Sequence, residues 1–131
     1  MNRLQVRSKI WLELDGEPFL GVGRERLLRL IHQHGSINAA AQELGLSYRK
    51  AWSQLKAMEE KLDQPIIVRS KGGTGGGEST LTAVALDLLD RYDRLRNGMN
   101  RHVDVKFLET FASCDAFNTT TVLPMKDSER C

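Results

Sequence analysis

Two short amphipathic segments joined by a Gly-Leu step occupy Ser36 to Lys56, SINAAAQELGLSYRKAWSQLK, and few folds accommodate such a pair. Ile37, Ala40, Ala41 and Leu44 recur at the i, i+3, i+4, i+7 spacing of one buried helical stripe. Ser36 is placed to cap this helix, Gly45 to stop it and Ser47 to cap the next, whose apolar positions are Ala51, Leu55, Met58 and Leu62. Small side chains at Ala39, Ala40 and Ala41 allow the close, steep crossing of a helix-turn-helix, whose second helix normally enters the DNA major groove. From Ser47 to Lys56 that helix carries Arg49, Lys50 and Lys56 and no acid, while Glu59, Glu60 and Asp63 come only afterwards. The asymmetry suits leading turns that meet phosphates and base edges, and trailing turns that leave the groove. A basic outer face also describes a plainly solvated helix, so the flanking elements decide.

Upstream, Val6, Ser8, Ile10, Leu12 and Leu14 alternate with Arg7, Lys9, Trp11 and Glu13, the period-two pattern of a half-buried strand. Asp15-Gly16 reads as a tight turn, with Phe19-Leu20 pairing back. A supporting helix is expected from Arg24 to His34, with Leu27, Leu30 and Ile31 inward and Gly35 as its end. Its histidines, His32 and His34, are two apart and so cannot share a metal on a regular helix; surface or boundary positions are expected for both. GVGRER at 21–26 lacks the third glycine and downstream context of a dinucleotide fingerprint.

Downstream, Pro65 stops the second helix, Ile66 to Arg69 form a β-rich run, and five glycines lie between Lys71 and Glu78 before STLT returns as a strand. Strand, glycine loop and strand after a recognition helix make a wing, in which a loop without side chains approaches the sugar-phosphate backbone while Arg69 and Lys71 supply charge. A flexible linker has similar composition. A phosphate-binding P-loop does not fit, because Lys71 precedes the glycines instead of following them. Thr82 then caps a longer helix, about 82–111, in which Ala85, Leu88, Tyr92, Leu95 and Met99 follow heptad spacing, widened by Leu81, Leu86 and Leu89. So apolar a helix suits dimerisation through Ala85, Leu88, Leu89, Tyr92, Leu95 and Met99; the alternative is that it folds onto its own domain. Asn97-Gly98 leaves open whether it is one helix or two. Residues 112–131 show no sustained period and are expected to be a mobile tail.

The expectation is one domain, 1–111, mainly α with a small β component: a winged helix-turn-helix with a long C-terminal dimerisation helix. Lys and Arg number 19 against 17 Asp and Glu, a net +2, so only the distribution of charge points to nucleic acid. No run approaches the roughly 18 apolar residues of a membrane span, and the start is strand-like and not signal-like, so a soluble cytoplasmic chain is expected. Cys114 and Cys131 lie in or near the tail and make no disulfide framework, and Asn118-Thr119-Thr120 is then a chance glycosylation match. Ser47 to Lys50 matches S-x-x-K of acyl-enzymes without its companion motifs, and no catalytic or metal constellation emerges, so the chain is not read as an enzyme.

LDG at 14–16, LLRLIHQHGSINAAAQELGLSYRKAWSQLKAMEEKL at 27–62 and PIIVRSKGGTGGGESTLT at 65–82 together resemble the N-terminal DNA-binding domain of the ModE family, molybdate-responsive regulators with a LysR-type winged helix. The resemblance covers roughly residues 5–110. It implies a homodimeric regulator, expected to be a repressor, that reads a palindromic double-stranded DNA operator, with neither membrane nor RNA as partner. By position it places Ser47, Tyr48, Arg49, Lys50 and Ser53 at bases or nearby phosphates and Gln54 and Lys56 at the backbone; Ser36 joins the contact set, and Arg69, Lys71 and Gly73 serve the wing. Arg49 is the first choice for guanine, because its fork matches O6 and N7. Trp52 either packs on the core by one edge or stacks at DNA; packing is expected from its neighbour Ala51. The family's molybdate-binding C-terminal domains of small β-barrel type have no counterpart in the roughly 20 residues left, so no cofactor is assigned to this chain and molybdate stands only as the family's effector. A winged-helix protein-interaction module without DNA binding is the alternative, and it would have no need to exclude acids from 47–56.

Overall fold

The computed structural model describes residues 3–70, 78–112 and 122–123. Its contacts form two compact units, one of residues 11–90 and one of residues 1–10 with 91–131. The architecture is mainly α with small sheets, as expected.

In the larger unit, β2 (Leu12–Leu14) and β3 (Glu17–Leu20) form an antiparallel hairpin around Asp15 and Gly16, with φ of 54° and 80°. Positive φ at both central residues is what the favoured two-residue hairpin turn demands, and Asp-Gly supplies it at low cost. Helix α1 (Val22–His34) begins two residues earlier than its apolar period indicates. Its N-cap is Gly21, which has no side chain to advertise the start. The Arg24 guanidinium donates to the Phe19 carbonyl at 2.8 Å, tying α1 to the hairpin, and its partial burial lowers its pKa.

Helix α2 (Ile37–Leu44) starts at Ser36, whose hydroxyl accepts from the Ala39 amide at 3.1 Å, and ends at Gly45 in the left-handed conformation. Leu46 N–H reaches the Ala41 carbonyl at 2.8 Å, closing the turn. Helix α3 (Tyr48–Leu62) follows, with the Ser47 hydroxyl accepting from the Lys50 amide at 3.0 Å. Ile37, Ala40 and Ala41 are buried between α1 and α3, and both of the last two have no accessible surface. Alanine there leaves room for neighbouring helices, whereas a larger side chain would overpack the crossing by about 1–3 kcal/mol. From α3, Ala51, Leu55 and Met58 are buried and Leu62 is half-buried; they meet a core that includes Leu20, Leu27, Leu28 and Ile31. Burying each of the larger side chains contributes roughly 1.5–3 kcal/mol.

The wing strands are β4 (Ile67–Arg69) and β5 (Ser79–Leu81), paired antiparallel with Ile67 opposite Leu81. Three attachments hold them. The Glu59 carboxylate, on α3, accepts from the amides of Ile66 and Ile67 at 2.8 and 3.3 Å. Ser79 N–H donates to the carbonyl of Gly35, at the end of α1, at 2.9 Å, and Thr82 N–H donates to Ile66 at 3.0 Å. Helix α4 (Ala83–Phe111) starts from Thr82, whose hydroxyl accepts from Ala85 N–H at 3.2 Å, and runs without interruption through Asn97-Gly98.

In the other unit, the Tyr92 hydroxyl of α4 donates to the Ile10 carbonyl at 2.7 Å and the Ser8 hydroxyl donates to Asn100 Oδ1 at 2.6 Å. The rings of Phe107 and Phe111 are in tilted contact, 5.2 Å between centroids. The strand expected across residues 6–14 is a correction: only Leu12–Leu14 pairs with β3, and β1 is Leu4–Gln5. Side chains from 4 to 14 nonetheless alternate between half-buried and exposed. The periodicity records which side faces protein, but ladder pairing needs a partner strand, and residues 6–11 have none among the described residues. Within the stretch expected to be a mobile tail, β6 (Val122–Leu123) pairs in parallel with Leu4–Gln5. A two-residue strand is too short to leave a readable period. Cys114, Cys131 and Asn118 lie outside the described residues.

Because Glu59 accepts two amides from low accessibility, Glu59→Ala should lower unfolding stability by about 1.5–3 kcal/mol. Urea titration should show a lower midpoint with an unchanged slope.

Candidate nucleic-acid interface

The buried stripe of α3 determines its outward one. Opposite Ala51, Leu55 and Met58 stand Arg49, Ser53, Lys56 and, a turn later, Glu60, all but Ser53 charged and all exposed. Lys50 is exposed on one flank beside half-buried Gln54; Tyr48, 39% accessible, lies on the other with half-buried Trp52. Thus Arg49, Ser53 and Lys56 share one solvent-facing stripe, with Lys50 exposed on its flank. Two of the proposed contact residues also have structural duties. Ser36 is half-buried and Ser47 exposed, and each hydroxyl caps its helix.

No acid lies in the first turn of α3, whose helix dipole adds partial positive charge there. The basic residues further along are differently occupied. Lys61 pairs with Glu17 of the β2–β3 hairpin, and this ammonium holds the Glu17 carboxyl below the ordinary carboxylate range. That pair favours the folded chain above the usual carboxylate pKa, and its contribution disappears as pH falls through the lowered value. Lys56 lies 3.7 Å from Glu59.

Across the short gap to β4, Arg69 is exposed, and its guanidinium lies 5.3 Å from the centroid of the Trp52 ring; the Lys56 ammonium is 4.9 Å from the same ring. Both distances fall in the range where a cation is attracted to an indole face. Trp52 therefore connects α3 to the wing, a role that the expectation of edgewise core packing does not describe. Its helix position gave the only available signal: it shares a flank with Tyr48 and Glu59, on the side from which the chain departs for β4. At the mouth of the wing, Ser70 N–H donates to the Glu78 carbonyl at 2.9 Å, and Glu78 N–H donates to the Ser70 hydroxyl at 3.3 Å. Lys71 and Gly73, the remaining wing residues of the expected contact set, lie outside the described residues.

Along α4 the expected dimerisation residues divide. Ala85 and Leu89 are buried within the larger unit and Tyr92 within the smaller, so the chain itself covers them. Leu88 is half-buried, and Leu95 and Met99 remain 44% and 43% accessible. His32 and His34 are exposed, and His34 Nε2 lies 3.4 Å from Glu43. Among the described residues no group of three or more His, Cys, Asp or Glu is arranged to hold a metal, and no helix is long and apolar enough to cross a membrane.

Residues 24–86, from α1 through both wing strands into α4, match the bacterial regulatory helix-turn-helix protein family of the lysR type. Beyond that matched stretch, the chain is similar to proteins of the ModE and Mop names. It is 32% identical over 130 residues to the molybdenum-pterin-binding protein MopA of Rhodobacter capsulatus, across 99% of this chain and 49% of that protein. It is 42% identical over 84 residues to the transcriptional regulator ModE of Haemophilus influenzae, across 64% of this chain and 33% of the relative. With the DNA-binding transcriptional dual regulator ModE of Escherichia coli K12 it shares 31% over 102 residues, 78% of this chain and 39% of that one. The chain thus spans half or less of the length of these relatives.

Since the Ser47 hydroxyl is the side-chain cap of α3, Ser47→Ala should cost about 1 kcal/mol of stability. Thermal unfolding of the two proteins side by side checks this, and Ser47→Asp, which restores an acceptor, should recover the loss.

Proposed function

We propose that this chain is a sequence-specific DNA-binding transcriptional regulator, acts as a homodimer on a palindromic operator as a repressor, and is not an enzyme. One observation carries the reading: the outward stripe Arg49, Ser53 and Lys56 on a capped α3, in a helix-turn-helix that matches a regulatory family. In this reading α3 lies in the major groove. Arg49 makes a bidentate contact to guanine through its fork of donors, while Lys50, Lys56 and the side chains of Tyr48, Ser53 and Gln54 serve neighbouring bases and phosphates. The wing, 71–78, follows the backbone beside the groove with Arg69 at its base. Ser36 and Ser47 act by fixing the helix starts, so that the first amides and side chains of each helix are presented in register. An interaction module is the weaker alternative, because a protein partner gives no reason for an acid-free leading face.

The homodimer part of the reading uses what the chain leaves uncovered on α4. Leu95 and Met99, spaced one helical turn apart, are available to pair with a second copy. Molybdenum appears in the name of one relative above. Here the exposed cations Arg49, Lys50 and Lys56 lie along a convex helix face, which suits successive phosphates better than one tetrahedral oxyanion, and we assign no residue to an oxyanion effector.

Arg49→Ala should weaken operator binding by roughly 1–3 kcal/mol, relax preference at one position of each half-site, and leave random-sequence binding much less affected. Titration of wild type and variant against the DNA upstream of this gene and against shuffled duplex tests this; equal losses on both duplexes would remove the base contact. Separately, Leu95→Glu combined with Met99→Glu should yield a folded monomer in sedimentation, because neither side chain belongs to the buried core.

A further inference from the structure

Trp52, Lys56 and Arg69 have no joint role in the reading above, yet they form one assembly. The ammonium and the guanidinium come from different elements, α3 and β4, and both lie over one indole, at 4.9 and 5.3 Å from its centroid. The negative face of an indole attracts a cation, so one ring is a common electrostatic partner for both side chains. The surroundings restrain all three. Trp52 is half-buried on the flank of α3 between its core stripe and its outward one, and Arg69 ends a strand paired with Ser79. Glu59 lies 3.7 Å from the Lys56 ammonium while accepting the amides of Ile66 and Ile67, so one carboxylate both tethers Lys56 and anchors the start of β4.

We infer that Trp52, Lys56 and Arg69 form a single phosphate-binding station at the junction of recognition helix and wing, and that Trp52 is its positioning residue. The ligand is one backbone phosphodiester of duplex DNA beside the major groove; the inference rests on the DNA-binding reading above. Lys56 and Arg69 supply the charge. The indole fixes where that charge stands, and it lowers the entropy that two long side chains would lose on meeting a phosphate. Because a phosphodiester is common to all sequences, the station contributes affinity and register without discrimination. The ring also couples helix to wing, so that Lys56 and Arg69 act as a pair and not as two separate contacts.

The test uses the full chain with Trp52→Leu, Trp52→Phe, Lys56→Ala and Arg69→Ala, alone and combined, on operator and random duplex at several salt concentrations. Trp52→Leu should weaken both duplexes alike, roughly 3- to 30-fold, and flatten the dependence of log K on log salt by about one unit. Trp52→Phe, which keeps an aromatic face, should recover most of that loss. Lys56→Ala or Arg69→Ala should cost less in the Trp52→Leu background than in wild type, the signature of shared action. Without DNA, in a Trp11→Phe background that leaves Trp52 as the sole fluorophore of its kind, Lys56→Ala and Arg69→Ala should each change its emission. Losses that add in full, an unchanged salt dependence in Trp52→Leu, or emission indifferent to both cations would overturn the station while leaving DNA binding intact. A folded wild type that binds no duplex at any salt concentration would instead overturn the functional reading and the station with it. Thermal melts identify any variant that unfolds; should Trp52→Leu do so, Trp52→Phe and the two exposed cation variants still decide through the coupling and the emission.

Discussion

The close contact made by Ala40 and Ala41 is the constraint on which the rest of the protein depends. With no accessible surface at either residue, α2 lies against α1 and α3 at the spacing that a methyl side chain allows. That spacing commits Ala51, Leu55 and Met58 to the interior, and geometry then commits Arg49, Ser53 and Lys56 to solvent. The basic face is therefore a product of core packing. Its residues are held outward because their opposite neighbours have somewhere to go. The serine caps on either side set where each helix begins, so that the outward stripe has a defined rotational phase as well as a direction.

The wing gains its position from α3 and α1 together. Glu59 occupies the same helix as the basic stripe but serves the backbone of Ile66 and Ile67, and Gly35, the cap of α1, receives Ser79. A carboxylate stands beside the exposed cations of α3. Its two amide partners explain it, because without an acceptor the start of β4 would leave buried donors unpaired. Charge on α3 is thus divided between a leading part that faces outward and a trailing part that joins elements: Lys61 holds the hairpin through Glu17 as Glu59 holds the wing.

Much of this was legible in the sequence because its causes are local. Ser36, Gly45, Ser47, Gly35 and Thr82 cap helices through chemistry confined to three or four neighbouring residues, and Asp15-Gly16 carries its turn in its own dihedral preferences. What eluded sequence reasoning depended on partners distant in the chain. The alternation from Val6 to Leu14 is real in burial, but ladder pairing ends where β3 ends. Asn97-Gly98 fails to break α4 because a helical glycine costs only about 1 kcal/mol relative to alanine, less than the packing of Tyr92 and Phe107 on either side can contribute. Ala85 and Tyr92 fit a heptad, but a heptad cannot tell whether its cover is another copy or the same chain. At the interface itself, the outward stripe followed directly from periodicity. The Trp52 assembly did not, since its second cation lies 17 residues away on another element.

The clasp between Ser70 and Glu78 separates the two ends of the wing hairpin from whatever length of chain joins them. Closing a loop whose ends are already held grows more costly only logarithmically, about 0.6 kcal/mol for each doubling. Glycines can therefore be added or removed between those two residues while α3, its caps and its core contacts stay as they are. The length of chain between Ser70 and Glu78 and the outward face of α3 are in this way separate variables, and the first can change without disturbing the second.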